Sequence, residues 1–137
     1  MTAPKPVKPQ TLTVGAPGPW ATTNQRHHWT VRNRLTQAWR SAAAWQARAD
    51  RIRPVTGPVR IEATIRRADS RRFDLDGHAP TVKACIDGLR DAGVLAEDDM
   101  RHMPTLTLTA GPKTPLGCVV LTIRPNQMTT PTEGDPR

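Results

Sequence analysis

Residues 59–67 read VRIEATIRR, and Val59, Ile61, Ala63 and Ile65 recur at every second position, the period of a strand with one buried face. On either side of this strand the period changes to that of a helix. From Arg34 to Arg53 the apolar residues Leu35, Ala38, Ala42, Trp45, Ala49 and Ile52 follow at intervals of three and four. That spacing predicts a helix with those side chains as its core stripe and with Arg40, Arg48 and Arg51 on the other side. A second helix is predicted over Pro80–Ala92, with Val82, Ile86 and Leu89 inward and Gly93 as its stop. QTLTVGA (10–16) alternates as a strand before a Pro-Gly-Pro turn, and TLTLTA and GCVVLTI add two more strands parted by a Gly-Pro turn. The order β-α-β-α-β-β predicts an α+β fold, one small domain over residues 10–124 with a mixed sheet and two helices. The proline-rich ends, residues 1–9 and 125–137, are expected to be mobile tails.

The formal net charge is +8, and it is unevenly placed. Residues 1–67 hold twelve Lys or Arg against two acids, Asp50 and Glu62, whereas eight of the twelve acids fall between Asp69 and Asp99. A basic body around an acidic centre attracts polyphosphate by counterion release, so nucleic acid is the expected partner; the alternative is ordinary solvated arginine. No apolar run reaches the roughly 18 residues of a membrane span, and the opening residues have no charged-then-apolar pattern, so neither a membrane span nor a signal peptide is expected. Cys85 and Cys118 lie far apart in apolar settings and read as buried free thiols of a reducing cytoplasm. His27, His28, His78 and His102 have no zinc-finger spacing. Trp39 and Trp45 are expected in the core, while Trp29 beside two histidines suits either core or base stacking.

The acidic centre contains RRFDLDGHAP, residues 71–80. If Arg72 to Asp76 is extended, Asp74 and Asp76 share one face while Phe73 and Leu75 share the other. Two carboxylates on one face repel unless a cation sits between them, and hard oxygen donors suit Mg²⁺ or Mn²⁺. Glu97, Asp98 and Asp99 return carboxylates one helix later, which suggests a cluster. Each part has a plainer alternative: Asp-x-Asp before a helix serves turns and caps, and Glu-Asp-Asp in a loop is often simply solvated.

These residues resemble the RusA-type Holliday junction resolvases, small endonucleases of phages and prophages. The pattern is carried by the basic pair Arg71 and Arg72, then Asp74 and Asp76, then Lys83 near a helix start, Asp87, the turn AGVL, and Asp98 with Asp99. Asn24, Arg26 and Trp29 fit the family's amino-terminal loop. Gly77 stands where the family has Asn, and Lys83 lies farther beyond Asp76 than usual. The resemblance implies a Mg²⁺-dependent endodeoxyribonuclease that cleaves four-way junctions as a homodimer in a bacterial host cytoplasm. Asp74, Asp76 and Asp99 would hold the metal (Mn²⁺ substituting), Lys83 would serve the phosphate, and Asp87 and Asp98 would support them. Asn24, Arg26, Arg71, Arg72 and Arg101 would contact DNA. Alternatives are a nuclease for other branched DNA or RNA, and a DNA-binding protein without catalysis.

Overall fold

The computed structural model describes residues 8–23, 29–96, 101–103 and 105–126. Strand β1 (Gln10–Gly15) leads to helix α1 (Trp29–Ala49), then strand β2 (Val59–Arg66). A 3₁₀ turn over Asp76–His78 opens helix α2 (Ala79–Asp91), and strands β3 (Thr105–Ala110) and β4 (Cys118–Pro125) follow. The fold is thus α+β, with one four-stranded mixed sheet in the order β1-β4-β2-β3. β4 runs antiparallel to both β1 and β2, and β3 is parallel to β2. Hence β1, β2 and β3 all point one way, and the last strand is inserted between the first two.

Strand alternation sets the core. Leu12 and Val14, Val59, Ile61, Ala63 and Ile65, and Val119, Leu121 and Ile123 all lie buried on the helix-covered face. The other face carries Thr11, Thr13, Thr64 and Thr122 with Glu62 and Arg124, whose Nε donates to Glu62 Oε1 at 3.0 Å. β3 is an edge, and Leu106 on it remains 41% exposed although it shares a side with Ile61.

α2 forms where the sequence puts it, with Val82, Ile86 and Leu89 buried. It ends in a Schellman motif, in which Gly93 takes φ 80° while the Val94 N–H bonds the Leu89 carbonyl at 2.9 Å. α1 departs from the expectation in both bounds and face. It begins at Trp29 instead of Arg34 and ends at Ala49 instead of Arg53. The stop is again a Schellman motif, with the Ile52 N–H on the Ala47 carbonyl, but the left-handed residue is Arg51 at φ 53°, so no glycine marks it.

The buried stripe of α1 is Trp39, Ala43, Ala44 and Ala47, and Trp45, expected inside, is 67% exposed. Leu35, Ala38 and Ala42 are only half-buried on the flank and Ala49 is exposed. The reason is contact with α2. A Cβ on Gly88 would lie 2.9 Å from Ala43 Cβ and 3.0 Å from Ala44 N, so the helices meet at nearly backbone distance and only small residues fit there. Trp39 then fills the space beside that seam and donates its indole N–H to the Pro19 carbonyl at 3.0 Å. Arg40 and Arg48 do not project freely: Arg40 pairs with the Asp91 carboxylate through two hydrogen bonds of 2.6 and 2.8 Å, and Arg48 bonds the Asp91 carbonyl.

Both cysteines are buried free thiols, and burial pushes the Cys85 thiol up to about 12. No helix among the described residues is long and apolar enough to cross a membrane.

Candidate functional site

Two parallel strands, β1 and β2, end side by side with β4 between them, and the chain leaving each end lines one cleft. After β1 the turn delivers Pro19, Trp20 and Thr22; after β2 come Arg67, Arg72, Phe73, Asp74 and His78. The cleft holds about 750 Å³. Crevices outside the carboxyl ends of strands are the usual ligand sites of open sheets. Gly117, at φ 80°, lies beneath it, since a Cβ there would be 3.2 Å from the Trp20 ring.

Packing fixes its floor. The Arg67 guanidinium lies 5.8 Å from the Trp20 ring centroid and 5.6 Å from that of Phe73, within cation–π range of both. Trp20 stacks on Trp39 at 4.8 Å, and the His78 ring meets Trp20 and Phe73 edge-on at 5.5 and 4.9 Å. Arg67 Nη1 lies 2.8 Å from His78 Nε2, and His78 Nδ1 lies 2.8 Å from the Asp74 carbonyl oxygen. An arginine only donates, so Nε2 accepts and Nδ1 carries the proton given to Asp74. Burial pushes the His78 pKa below its usual value and Arg67 acts in the same direction, outweighing the bond to Asp74. With both ring nitrogens engaged, His78 is no metal donor.

Arg67 Nε is buried and makes no hydrogen bond among the described residues; Asp69 Oδ1 stands 3.5 Å away as an ion pair. Desolvation raises the Asp69 carboxyl, but the Arg71 backbone N–H and the Arg67 guanidinium outweigh it and hold Asp69 below the usual carboxylate range.

Exposure alternates along Arg72–Asp76, but the extended backbone expected there is not found, because the chain turns helical at Leu75. Phe73 and Leu75 pack against the core, while Asp74 and Asp76 are exposed. Leu75 already has helical geometry, φ −61° and ψ −47°, and the Asp76–His78 turn follows at once. That turn is pinned from outside: the Thr23 N–H bonds the Gly77 carbonyl at 2.9 Å, and Thr81 Oγ1 both donates to the Ala21 carbonyl and accepts the Ala21 N–H. The holding bonds of this turn therefore come from the Gly77 backbone and the His78 ring.

Not all the residues singled out in the sequence meet here. Arg72 lines the cleft, and Arg71 is exposed beside it with its N–H on Asp69. Lys83 lies in a separate groove between α1 and α2, its Nζ 2.9 Å from Asp87 Oδ1, with Arg90 Nη2 3.9 Å from the same oxygen. Arg101 stands at the far end of the sheet, next to His102, whose carbonyl takes the Val59 N–H at the start of β2. Ala96 is at that end too, beside Val55 and Gly57. The 13 residues of α2, about 20 Å long, lead from the cleft toward it. Asp98, Asp99, Asn24 and Arg26 lie outside the described residues, among which no three His, Cys, Asp or Glu come together as a metal-binding group.

Trp20, Arg67 and His78 were not among the site residues chosen from the sequence. Trp20 and Arg67 follow strand ends, which was their one visible signal. No family model matches the chain, and no curated protein matches it.

Proposed function

We propose that the protein is a metal-dependent endodeoxyribonuclease of the RusA type, cutting phosphodiester bonds in four-way DNA junctions as a homodimer in a bacterial cytoplasm. The observation that carries this reading is the display of Asp74 in a cleft that also presents Arg67 and Arg72, with Asp76 exposed two residues on and the partly buried alternates Phe73 and Leu75 packed against the core. Mg²⁺ keeps several waters and is commonly bound by one or two carboxylates together with substrate phosphate, so this exposed hard-oxygen pair fits it. Bound there, Mg²⁺ would polarise a phosphoryl oxygen and lower the pKa of a water.

The chain's own residues do the rest. Arg67 and Arg72 draw the DNA backbone to the acidic loop and neutralise phosphate charge. His78 and the Gly77 carbonyl fix the loop's backbone, so the two carboxylates keep their spacing without spending substrate binding energy on ordering. The resemblance implies Asp99 as third ligand, and because Ala96 and Arg101 stand at the far end of the sheet from the cleft, that carboxylate would have to come from the second copy of the proposed homodimer. Lys83 is held by Asp87 through an i,i+4 pair of about 0.3–0.5 kcal/mol, weak enough to exchange for a phosphate. Asp87 and Asp98 are supporting groups, and Asn24, Arg26, Arg71 and Arg101 are further DNA contacts.

A DNA-binding protein without catalysis is the second reading, favoured by Lys83 lying in a groove apart from the cleft. Labelled four-way, three-way and linear DNA incubated with the protein separates the two. Nuclease action predicts cleavage with Mg²⁺ or Mn²⁺, preference for four-way DNA, and little turnover with Ca²⁺. Cleavage that persists in excess EDTA, or binding with no cleavage under any of these ions, overturns the proposal.

A further inference from the structure

We infer that the cleft at the ends of β1 and β2 is a nucleotide pocket, taking the phosphate of one nucleotide unit on Arg67 and its base against the aromatic wall. Its volume, about 750 Å³, lies within the roughly 300–1,000 Å³ of small-molecule sites. The Arg67 guanidinium is oriented before any ligand arrives, by two ring faces at 5.6 and 5.8 Å and by the bond from Nη1 to His78. Its Nε is buried and makes no hydrogen bond among the described residues, with the Asp69 carboxylate 3.5 Å away as an ion pair. A planar guanidinium in that setting favours an oxyanion.

The charges lining the cleft agree. Arg67 and Arg72 line it together with the carboxylate of Asp74, while the Asp69 carboxylate is paired to Arg67 from behind the lining. Pro19, Trp20 and Phe73 supply an apolar wall, which phosphate alone would not need. An anion joined to a flat aromatic ring is the chemistry of a nucleotide, and a base can enter only when it is unpaired. The pocket therefore selects an unpaired nucleotide of a strand passing Asp74. This rests on the nucleic-acid reading above, but it requires neither metal nor cleavage.

The test is an NMR titration of the full chain in EDTA, following the Trp20 indole N–H and the Arg67 Nε–H. The probes are inorganic phosphate, deoxyribose 5-phosphate, deoxyadenosine monophosphate, a thymidine hexanucleotide, and a duplex hairpin with six base pairs. Both signals should shift, with the mononucleotide binding at least tenfold tighter than deoxyribose 5-phosphate, and the single-stranded hexamer tighter than the hairpin. Arg67→Lys, which keeps the charge but loses the fork, should weaken the mononucleotide at least tenfold, and Phe73→Leu several-fold. Arg34→Gln, on the exposed side of α1, should change nothing. Should Arg67→Lys fail to fold by circular dichroism, Phe73→Leu and Arg72→Gln decide in its place. Equal affinity with and without the base, a hairpin bound as tightly as the single strand, or binding indifferent to these substitutions overturns the inference. Junction cleavage without nucleotide binding sinks this inference alone; nucleotide binding without metal-dependent cleavage sinks the nuclease reading alone.

Discussion

Asp74 separates a metal ligand from a turn residue by its chemistry. If its carboxylate only served the local turn, Asp74→Asn would cost at most about 1 kcal/mol of stability and leave cleavage intact, because Asn caps as well as Asp. A ligand role predicts a fall of several orders of magnitude in cleavage, since metal catalysis supplies several kcal/mol and about 1.36 kcal/mol is tenfold in rate. Binding to the same junction should hold or tighten, one negative charge having left a surface that meets phosphate. Paired cleavage and gel-shift assays check this, with the same outcome expected for Asp76→Asn and Asp99→Asn and a smaller loss for Asp87→Asn. The two helix tryptophans give a stability counterpart. Trp39, fully buried, should cost about 3–5 kcal/mol as Trp39→Ala, while Trp45→Ala should stay within about 0.5 kcal/mol by urea denaturation. At this scale only the outward exposure of Asp74 and Asp76 and the inward packing of Phe73 and Leu75 were legible, since apolar residues seek the core in either geometry; the helical turn at Leu75 was not. The Arg67 cradle was not, since its rings and its histidine come from positions 20, 73 and 78, which share no period.

At the level of elements, the α1–α2 seam decides which face of α1 is inside. Alanine occurs all round that helix, so the periodic stripe through Leu35 and Trp45 and the stripe through Trp39 and Ala43 are both present in the sequence. What selects the second is Gly88, some forty residues away, and no local pattern reports it. Gly88→Ala should therefore destabilise despite the roughly 1 kcal/mol that alanine gains in a helix. The added Cβ would meet Ala43 at 2.9 Å and the Arg40 carbonyl closer still, and overpacking costs typically about 1–3 kcal/mol. Chemical denaturation with an unchanged m-value is the expected result. The seam is also clasped by Arg40 and Asp91. The hydrogen bonds from Arg40 hold the Asp91 carboxyl below the usual carboxylate range. A depressed carboxyl stabilises the fold above its unfolded pKa, near 4, and that contribution is lost as the pH falls through the folded value. The melting temperatures of wild type and Asp91→Asn should thus differ at pH 7 and converge in strong acid. Convergence already at pH 6 would discount the clasp. The helix ends show the same contrast in legibility: Gly93 announced the end of α2, whereas α1 ends through Arg51 in a conformation that sequence assigns to glycine.

Across the whole molecule, basic residues outnumber acids by twenty to twelve, and the proposed function uses that excess as a long-range attraction. Log affinity for any DNA shape should fall linearly with log salt, and Arg71→Ala or Arg72→Ala should each reduce the slope by about one. An affinity indifferent to salt would remove the basic surface from the account. A two-fold junction cut on two strands matches two copies of one site, so light scattering should find a dimer and the incisions should be placed symmetrically. An active monomer would defeat that.

The insertion of β4 between β1 and β2 has a consequence for how the chain is made. Among the described residues, 10–15 pair in the sheet only with 118–123, so the first strand waits on the ribosome until β4 has been synthesised. Until then the sheet lacks the strand that joins β1 to β2. Contacts this distant close late because the intervening loop entropy must be overcome first. The helix pair and the β2–β3 unit can assemble as the chain emerges, but the sheet beneath the pocket closes only after β4 is inserted, so a chain released before it would hold the acidic loop over an unfinished sheet.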